Sequence, residues 1–159
     1  MVLVDKGVDV KNRGQVLEQI RKNFDPIDSI MLISQAPTDT LDFTSKKTHY
    51  GNKLVINATT KSEEVNLLPP VIPSDLKAID SKINKWKLFK NALLVVSVDK
   101  DGSEVVKKLI NSPLISNIKI VAVVSSDIDV NNDVEVMWGI FTRFDPGDDI
   151  YFNKQEFIG

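Results

Sequence analysis

The stretch Ile118–Phe152, IKIVAVVSSDIDVNNDVEVMWGIFTRFDPGDDIYF, decides the fold that we predict for this chain. Residues 118–124 are mostly apolar and β-branched, which is typical of a strand buried on both faces. Apolar residues at helical spacing follow, and an asparagine or aspartate at 131–133 can cap the start of that helix. Asp145-Pro146-Gly147 ends the helix, and residues 150–152 begin another strand. The stretch predicts a strand–helix–strand unit with a right-handed crossover in a parallel sheet.

The chain begins with a degenerate copy of this stretch. Residues 2–32 align without a gap on residues 122–152 when they are shifted by 120 positions. The identical residues of the first copy include Asp9, Val10, Asn12, Val16, Ile20, Phe24, Asp25, Pro26, Asp28 and Ile30. We therefore predict the same unit at the start, with a strand at 2–4, a helix at 12–24 and a strand at 29–33.

Composition is that of an ordinary globular protein, with 159 residues, 42% hydrophobic content, 26% charged content and a net charge of −2. Lysine and arginine are spread along the chain, which argues against a nucleic-acid partner. The absence of cysteine excludes disulfides, thiolate metal sites and a thiol nucleophile. No apolar run is long enough to span a bilayer, and charge appears by Asp5, so we expect no membrane association and a cytoplasmic location.

The middle of the chain suggests a division into parts. Residues 34–53 are polar over about twenty positions, longer than most loops, which predicts a functional excursion or an arm that packs on a partner. Residues 54–57 predict a short strand. The proline-rich residues 69–73 favour an extended linker. We predict a first part at 1–68, the linker, and a second part at 74–159, with one compact domain over 1–159 as the alternative.

The second part continues the α/β pattern. Ser74 or Asp75 caps a predicted helix that runs to about Phe89. The apolar face of that helix comprises Leu76, Ile79, Ile83, Trp86 and Phe89. A buried strand is predicted at 92–98, and a helix capped by Ser103 ends before Pro113. The predicted fold class is α/β, a mainly parallel sheet with flanking helices built from two related βαβ units.

An alternating acidic run is the first candidate metal site. Asp127, Asp129, Asn131 and Asp133 are spaced like the ligands of a calcium loop. A calcium loop also needs glycine at its sixth position and glutamate at its twelfth, where this chain has Asn132 and Trp138. A strand end followed by a helix cap is the favoured interpretation, and no metal is predicted.

The single histidine, His49, is a candidate general base, but no orienting carboxylate is predictable for it, so a solvated loop residue is favoured. Lys46, Lys47 and Lys53 lie near it in sequence and would bind an anion if they clustered, although exposed surface is the simpler interpretation.

Two residues of the predicted helix before Asp145 are also candidates. Arg143 lies at the end of the helix, where an ion pair or carbonyl cap is favoured over a substrate clamp. Trp138 is a core or interface residue, and the first copy has Glu18 at the same place.

Several motifs resemble the C-terminal domain of the UbiD-type decarboxylases. Residues 126–150 are similar to the family's D-x-D-V-D-V, V-x-W-A and T-R-x-D-P-x-x-D patterns. Leu41-Asp42-Phe43, Gly51-Asn52-Lys53 and residues 57–61 resemble its LDF, GSK and DATxK, and residues 69–86 its tail. The order of these motifs departs from the family. Here the degenerate first copy precedes the tail, and the second copy, which matches the family motifs more closely, comes last. This order suggests a partial duplication or a permuted domain.

The resemblance implies a non-catalytic role. The family's prenylated-flavin site and its catalytic arginine and glutamates have no matching position here. We therefore expect no cofactor bound by this chain, with prenylated FMN in a partner catalytic chain, and an assembly or accessory subunit of a carboxy-lyase. The expected partners are further copies of the chain and a UbiD-like catalytic subunit. The matched positions, with an expected structural or interface role, are Asp129, Trp138, Arg143, Asp145, Asp42 and Lys53.

A second hypothesis is a stand-alone small-molecule binding protein or small enzyme. Its site would lie at the carboxyl ends of the parallel strands, near residues 97–101 and 125–129.

Overall fold

Six β-strands and three α-helices make up the part of the chain that the structure describes, residues 1–39, 49–61 and 67–153 of a computed structural model. In chain order they are β1 (Val2–Leu3), α1 (Arg13–Asn23), β2 (Ile30–Pro37), β3 (Tyr50–Asn57), β4 (Ile83–Phe89), β5 (Leu93–Val98), α2 (Gly102–Ile110), β6 (Ile120–Ser125) and α3 (Asp133–Arg143). No helix in these ranges is long and apolar enough to cross a membrane.

The strands form two three-stranded sheets with the same plan. In the first sheet β3 is central, with β1 parallel to it on one side and β2 antiparallel on the other. In the second sheet β5 is central, with β6 parallel and β4 antiparallel. The protein is therefore α/β with mixed sheets.

The predicted parallel βαβ units are not confirmed. The strand after α1 is β2, which pairs with β3 as an antiparallel neighbour, so β1 and β2 run in opposite directions on either side of β3. Residues 150–152, which follow α3, are not assigned to a strand. The physical reason in the first half is that β2 and β3 are successive strands, and successive strands readily pair as an antiparallel hairpin.

The predicted helix from residue 74 to Phe89 is wrong. Asp75 does accept a hydrogen bond from the Lys77 N–H, but only a 3₁₀ turn, Leu76–Ala78, forms there. Strand β4 follows and pairs with β5. Leu76 and Ile83 are buried on one face of the second sheet, whereas Phe89 contacts the cluster on the other face. The apolar residues have helical spacing, but pairing of residues 83–89 with the fully buried strand β5 stabilises a strand there instead.

Strand β5 is the centre of the second sheet, and the prediction of a buried strand there is confirmed, since all of its residues are buried. Its side chains alternate between two apolar clusters. Leu94, Val96 and Val98 pack with α2 on one face. Leu93 and Val95 pack with Val136 of α3 on the other. The second sheet is thus covered by helices on both faces.

Helix α1 joins the two sheets. Its residues Ile20 and Phe24, the latter at the helix end, are buried against the first sheet. Leu17 contacts this cluster and also the α3 side of the second sheet. Lys119, which precedes β6, donates a hydrogen bond to the Phe24 carbonyl oxygen at 3.0 Å, and burial lowers its pKa.

The predicted linker packs against the second half of the chain. Val71 exchanges backbone hydrogen bonds with Ser116, and the side-chain amide of Asn117 donates to the Pro69 carbonyl oxygen at 2.9 Å. Ile72 packs against the cluster on the α2 face of the second sheet. The division at 69–73 stays a prediction.

Candidate functional site

The loop between β6 and α3 is held by Asp129. Its Oδ1 accepts the Asn131 N–H at 3.1 Å, and its own N–H donates to Glu135 Oε2 at 3.0 Å. Asn132 caps α3 by accepting the N–H groups of Val134 and Glu135. These bonds satisfy donors that a helix start would otherwise leave free. Asp129, although it is exposed, therefore has a structural role in closing the loop.

The first copy repeats this construction. Asp9 Oδ1 accepts the Lys11 N–H at 2.9 Å, and the Asp9 N–H donates to Gln15 Oε1 at 2.9 Å. Asn12 caps α1 as Asn132 caps α3, and both helices have 11 residues at an offset of 120 positions. The identities at Asp9 and Asn12 are explained by one shared loop and helix cap.

Arg143 at the end of α3 forms a two-pronged ion pair with Asp127. Its Nη1 and Nη2 donate to the two carboxylate oxygens at 2.9 and 2.6 Å. The hydrogen bond from Arg143 lowers the pKa of Asp127, and Asp127 raises that of the guanidinium. The pair ties the last turn of α3 to the loop that precedes the helix.

Asp145 connects the end of α3 to the first sheet. It is 8% exposed, and its Oδ1 accepts the side-chain amide of Asn52 at 2.8 Å and the Gly147 N–H at 2.9 Å. Asn52 lies on β3, 93 positions away in sequence. The sequence pattern drew attention to Lys53, the next residue, which is exposed on β3 opposite Ile33. Within the Gly51-Asn52-Lys53 motif, Asn52 is therefore the residue that contacts Asp145.

The arm at 34–53 is shorter than predicted, because β2 extends to Pro37 and β3 begins at Tyr50. Asp42 lies outside the described residues, as do Lys46 and Lys47. His49 is exposed and has a positive φ of 67°, and its carbonyl oxygen accepts the Thr38 N–H.

Trp138 is on the surface of α3 and is 67% exposed. Val134 and Phe141, at positions i−4 and i+3, are 63% and 61% exposed. These three side chains, Val134, Trp138 and Phe141, form what we call the α3 stripe. Of these three residues, only Trp138 was a candidate from the sequence. The missed signal was the spacing of the three residues on the side of α3 opposite the buried Val136 and Gly139.

The carboxyl ends of β5 and β6 meet side by side, since Val98 is paired with Ser125. Asp99 lies there and accepts the side-chain amide of Asn84 at 3.0 Å. A hydrogen bond from the Ser126 side chain, followed by that from Asn84, lowers its pKa. Asp101 accepts Lys82 Nζ at 2.7 Å. The acidic groups at this edge are engaged by neighbours within the chain.

Residues 1–39, 49–61 and 67–153 contain no group of three or more histidine, cysteine, aspartate or glutamate side chains that could hold a metal ion. An open cleft of about 630 Å³ lies between α2 and the segment after α3, lined by Lys107, Ile110, Asn111, Ile150, Tyr151 and Phe152. Lys107 Nζ lies 4.6 Å from the centroid of the Tyr151 ring. The cleft brings together no nucleophile and base.

Fold and site together define an α/β module of two similar mixed sheets whose motif residues close loops and join the halves. The model of the 3-octaprenyl-4-hydroxybenzoate carboxy-lyase C-terminal domain matches residues 1–58 and 67–157. The chain belongs to this family, the C-terminal domain of the UbiD decarboxylases, as its motifs predicted.

Relatives are much longer than this chain. It is 34% identical over 94 residues to an uncharacterized protein of Synechocystis sp., an alignment that covers 54% of this chain and 18% of the relative. It is 29% identical over 164 aligned positions to an uncharacterized protein found in two Helicobacter pylori strains, covering 94% of this chain and 26% of the relative. The chain thus spans about a quarter or less of these relatives.

Proposed function

We propose that these residues are a non-catalytic assembly or accessory part of a UbiD-family carboxy-lyase and act together with a catalytic region that lies outside them. The observation that carries the proposal is the use of the family's motif residues. Asp129 holds a helix cap, Arg143 pairs with Asp127, and Asp145 is bound by Asn52. Contacts of this kind hold the loop before α3, the last turn of α3 and the first sheet in place, which is a structural use of the motif residues.

The prenylated flavin belongs, in this proposal, to the catalytic partner. Residues at the strand ends are acidic and already hydrogen-bonded, which disfavours an anionic phosphate there. We expect the purified chain to leave the carboxylate substrates of UbiD enzymes unchanged. We also expect that FMN does not raise the Tm of the chain.

Capture of a catalytic partner tests the proposal directly. A tagged chain is expressed in its native host, and the proteins retained on the tag are identified by mass spectrometry. Recovery of a UbiD-like catalytic chain is the expected result. A chain that is repeatedly recovered without any such protein, from cells shown to contain one, would contradict an accessory role.

A stand-alone binding protein is the second candidate. The observation in its favour is the meeting of the β5 and β6 carboxyl ends, the usual place for a ligand in an open α/β sheet. A thermal-shift screen with flavins and phosphorylated metabolites separates the candidates. A rise in Tm that Ser126→Ala abolishes would favour a ligand at this edge, and no rise is expected for an accessory part.

We also propose a cytoplasmic location for the assembly, supported by the lack of a membrane-spanning helix in the described ranges. Fractionation of the host with an antibody to the chain tests it, and recovery outside the cytoplasm would contradict it.

A further inference from the structure

Strand β2 is an exposed edge of the first sheet, since it pairs with β3 along one side and with no described strand along the other. Its successive residues Met31, Leu32 and Ile33 are 61%, 49% and 42% exposed. Successive side chains of a strand point to opposite faces, so Leu32 shares the face of Ile30, which packs against the α1 cluster. Exposure on both faces is what an unpaired strand edge produces, and one uncovered sheet face does not explain it.

The backbone groups of β2 alternate between the two sides of the strand. The Ser29 carbonyl oxygen accepts the Asn57 N–H at 2.7 Å, and Ile30 is paired with Ile56. An antiparallel ladder with this register directs the N–H and C=O groups of Ile30 and Leu32 away from β3. Within residues 1–39, 49–61 and 67–153, no hydrogen bond outside the strand ladders involves these groups. They are therefore available to a further strand.

The other edge strands differ from β2. Strand β4, the antiparallel edge of the second sheet, carries Lys85 and Lys87, and charged side chains on an edge oppose the addition of a strand. Most residues of β6 are half-buried, and β1 has only two residues. Residues 30–37 of β2 carry no charge. Among the described strands, β2 therefore has the edge best suited to pair with another chain.

We propose that β2 binds an extended segment of another polypeptide, which joins the first sheet as a fourth strand. The segment pairs with residues 30–33, because the register between β2 and β3 shifts after Ile33. Its side chains alternate between the two faces beside Met31 and Leu32, so it carries uncharged, apolar residues at successive positions. Strand addition takes its affinity from backbone hydrogen bonds and its specificity from these side-chain contacts.

A linear segment fits this edge better than a second folded copy does. One N–H and one C=O on each of two residues form a short ladder, and three partly exposed side chains lie beside it. Such a contact is far smaller than the area of about 1,200 Å² that two folded chains need for a stable complex. A linear segment needs only a few residues for strand addition.

This proposal concerns β2 alone and does not depend on the accessory role proposed above. A chain whose β2 binds no peptide can still be recovered with a catalytic chain, and a chain that is recovered alone can still bind a peptide.

The probe is the peptide acetyl-Lys-Leu-Val-Ile-Asn-amide, which copies residues 53–57, the part of β3 that pairs with β2. It is titrated into the isotope-labelled chain and followed by NMR. We expect saturable shifts of the β2 amides below about 1 mM peptide. Hydrogen exchange should slow at the amides of Ile30 and Leu32, which point outward. It should change little at Met31 and Ile33, whose amides face β3.

A peptide that is N-methylated at its three apolar residues is the first control. It keeps the side chains but loses their backbone donors, and it should bind at least about tenfold more weakly. In the chain, Leu32→Pro removes an outward N–H without removing a bond to β3, and it should weaken binding in the same way. Leu32→Ala keeps that N–H and should bind the peptide more tightly than Leu32→Pro does.

Trp138→Lys is the matched control in the α3 stripe, because Trp138 is an exposed apolar residue that lies outside β2. We expect this variant to bind the peptide like the wild type. The NMR spectrum of each variant shows whether it is folded.

Unchanged exchange at Ile30 and Leu32 in 1 mM peptide would overturn the proposal, as would equal binding of the N-methylated peptide, which would show a contact through side chains alone. Slower exchange of the same amides without peptide, as the concentration of the chain rises, would show that a second copy occupies the edge and would also overturn it.

Discussion

Among the carboxylates of the described residues that carry an ion pair, Asp80 is the most buried, at 5% exposure. Its Oδ2 accepts Lys108 Nζ at 2.7 Å and its Oδ1 accepts the Lys82 N–H at 2.9 Å. Because these bonds favour the charged form, Asp80→Ala should lower the free energy of unfolding by about 1.5–3 kcal/mol in urea titrations. Asp127→Ala is the control and should cost far less, since both partners of that pair stay hydrated.

The pH dependence of the same residue follows from its pKa. The hydrogen bond from Lys108, followed by that from the Lys82 N–H, holds the pKa of Asp80 below its ordinary value of 3.8. Its contribution is therefore present above about pH 4 and is lost as the pH falls through the lowered pKa. The stability difference between the wild type and Asp80→Ala should shrink from pH 6 to pH 3, and a constant difference would contradict this account.

Gly139 allows α3 to approach Ile128. A Cβ atom on residue 139 would lie 2.8 Å from the Ile128 Cδ1 and 2.9 Å from its Cγ1. Ile128 is only 6% exposed and has little room to move. Gly139→Ala should consequently lower the free energy of unfolding by about 1–3 kcal/mol, despite the better helix propensity of alanine.

The double variant Gly139→Ala with Ile128→Val tests that cause. Removal of Cδ1 relieves the closest contact, so the two substitutions together should cost less than the sum of the single variants in a double-mutant cycle. Strict additivity would show that the clash is not the cause.

Helix α3 depends on its cap, Asn132, whose Oδ1 accepts the Val134 N–H at 3.1 Å. Asn132→Ala should cost about 1 kcal/mol, because a donor of the first turn loses its partner. Asn132→Ser keeps an acceptor and places no second carboxylate beside Glu135 Oε1, to which the Asn132 amide donates at 2.9 Å, so it should cost less than Asn132→Ala. Thermal and urea unfolding measure both, and an alanine variant as stable as the serine variant would contradict the role of the cap.

The contact between β3 and the end of α3 rests on Asn52. Asn52→Ala removes one of the two donors to the buried Asp145 Oδ1 and should cost about 1.5–3 kcal/mol. Asn84→Ala is the matched control, since Asn84 makes the same kind of bond to the exposed Asp99. Equal effects of the two substitutions in urea unfolding would contradict a specific connection between the halves.

Elements with local signals were predictable from the sequence. The cap and end of α3 and the buried strand β5 needed only residues within a few positions of one another. Strand β4 was not predictable in this way, because the spacing of Leu76, Ile79, Ile83 and Trp86 suits a helix and only pairing with β5 decides the matter. The antiparallel direction of β2 likewise depends on β3.

Contacts between site residues that are distant in sequence were likewise not predictable from local patterns. The position of Arg143 at the helix end favoured an ion pair or a carbonyl cap, but did not indicate its actual partner, Asp127, which lies 16 positions away. The bond from Asn52 to Asp145 was not predictable, because it joins residues 93 positions apart and the two sheets must first be placed. The exposure of Trp138 was left open for the same reason.

The molecule as a whole should be acid-sensitive. Beyond Asp80, hydrogen bonds hold the pKa of several exposed or half-buried carboxylates below the ordinary value, namely Asp5, Asp28, Asp99, Asp101 and Asp127. Groups with a lowered pKa stabilise the fold above about pH 4 and lose that contribution on further acidification. Stability should therefore fall between pH 4 and pH 2.5, less steeply in 1 M NaCl, where exposed pairs are screened. A Tm that is constant over this interval would contradict the prediction.

Leu17 of α1 lies against the apolar clusters of both sheets. Detachment of α1 would hydrate part of each cluster at once, so the first sheet and the α3 face of the second sheet share one apolar core. The slowest backbone amides of β3 and of β5 should accordingly exchange with deuterium through one common opening, and a fragment that carries a single sheet should be only partly folded.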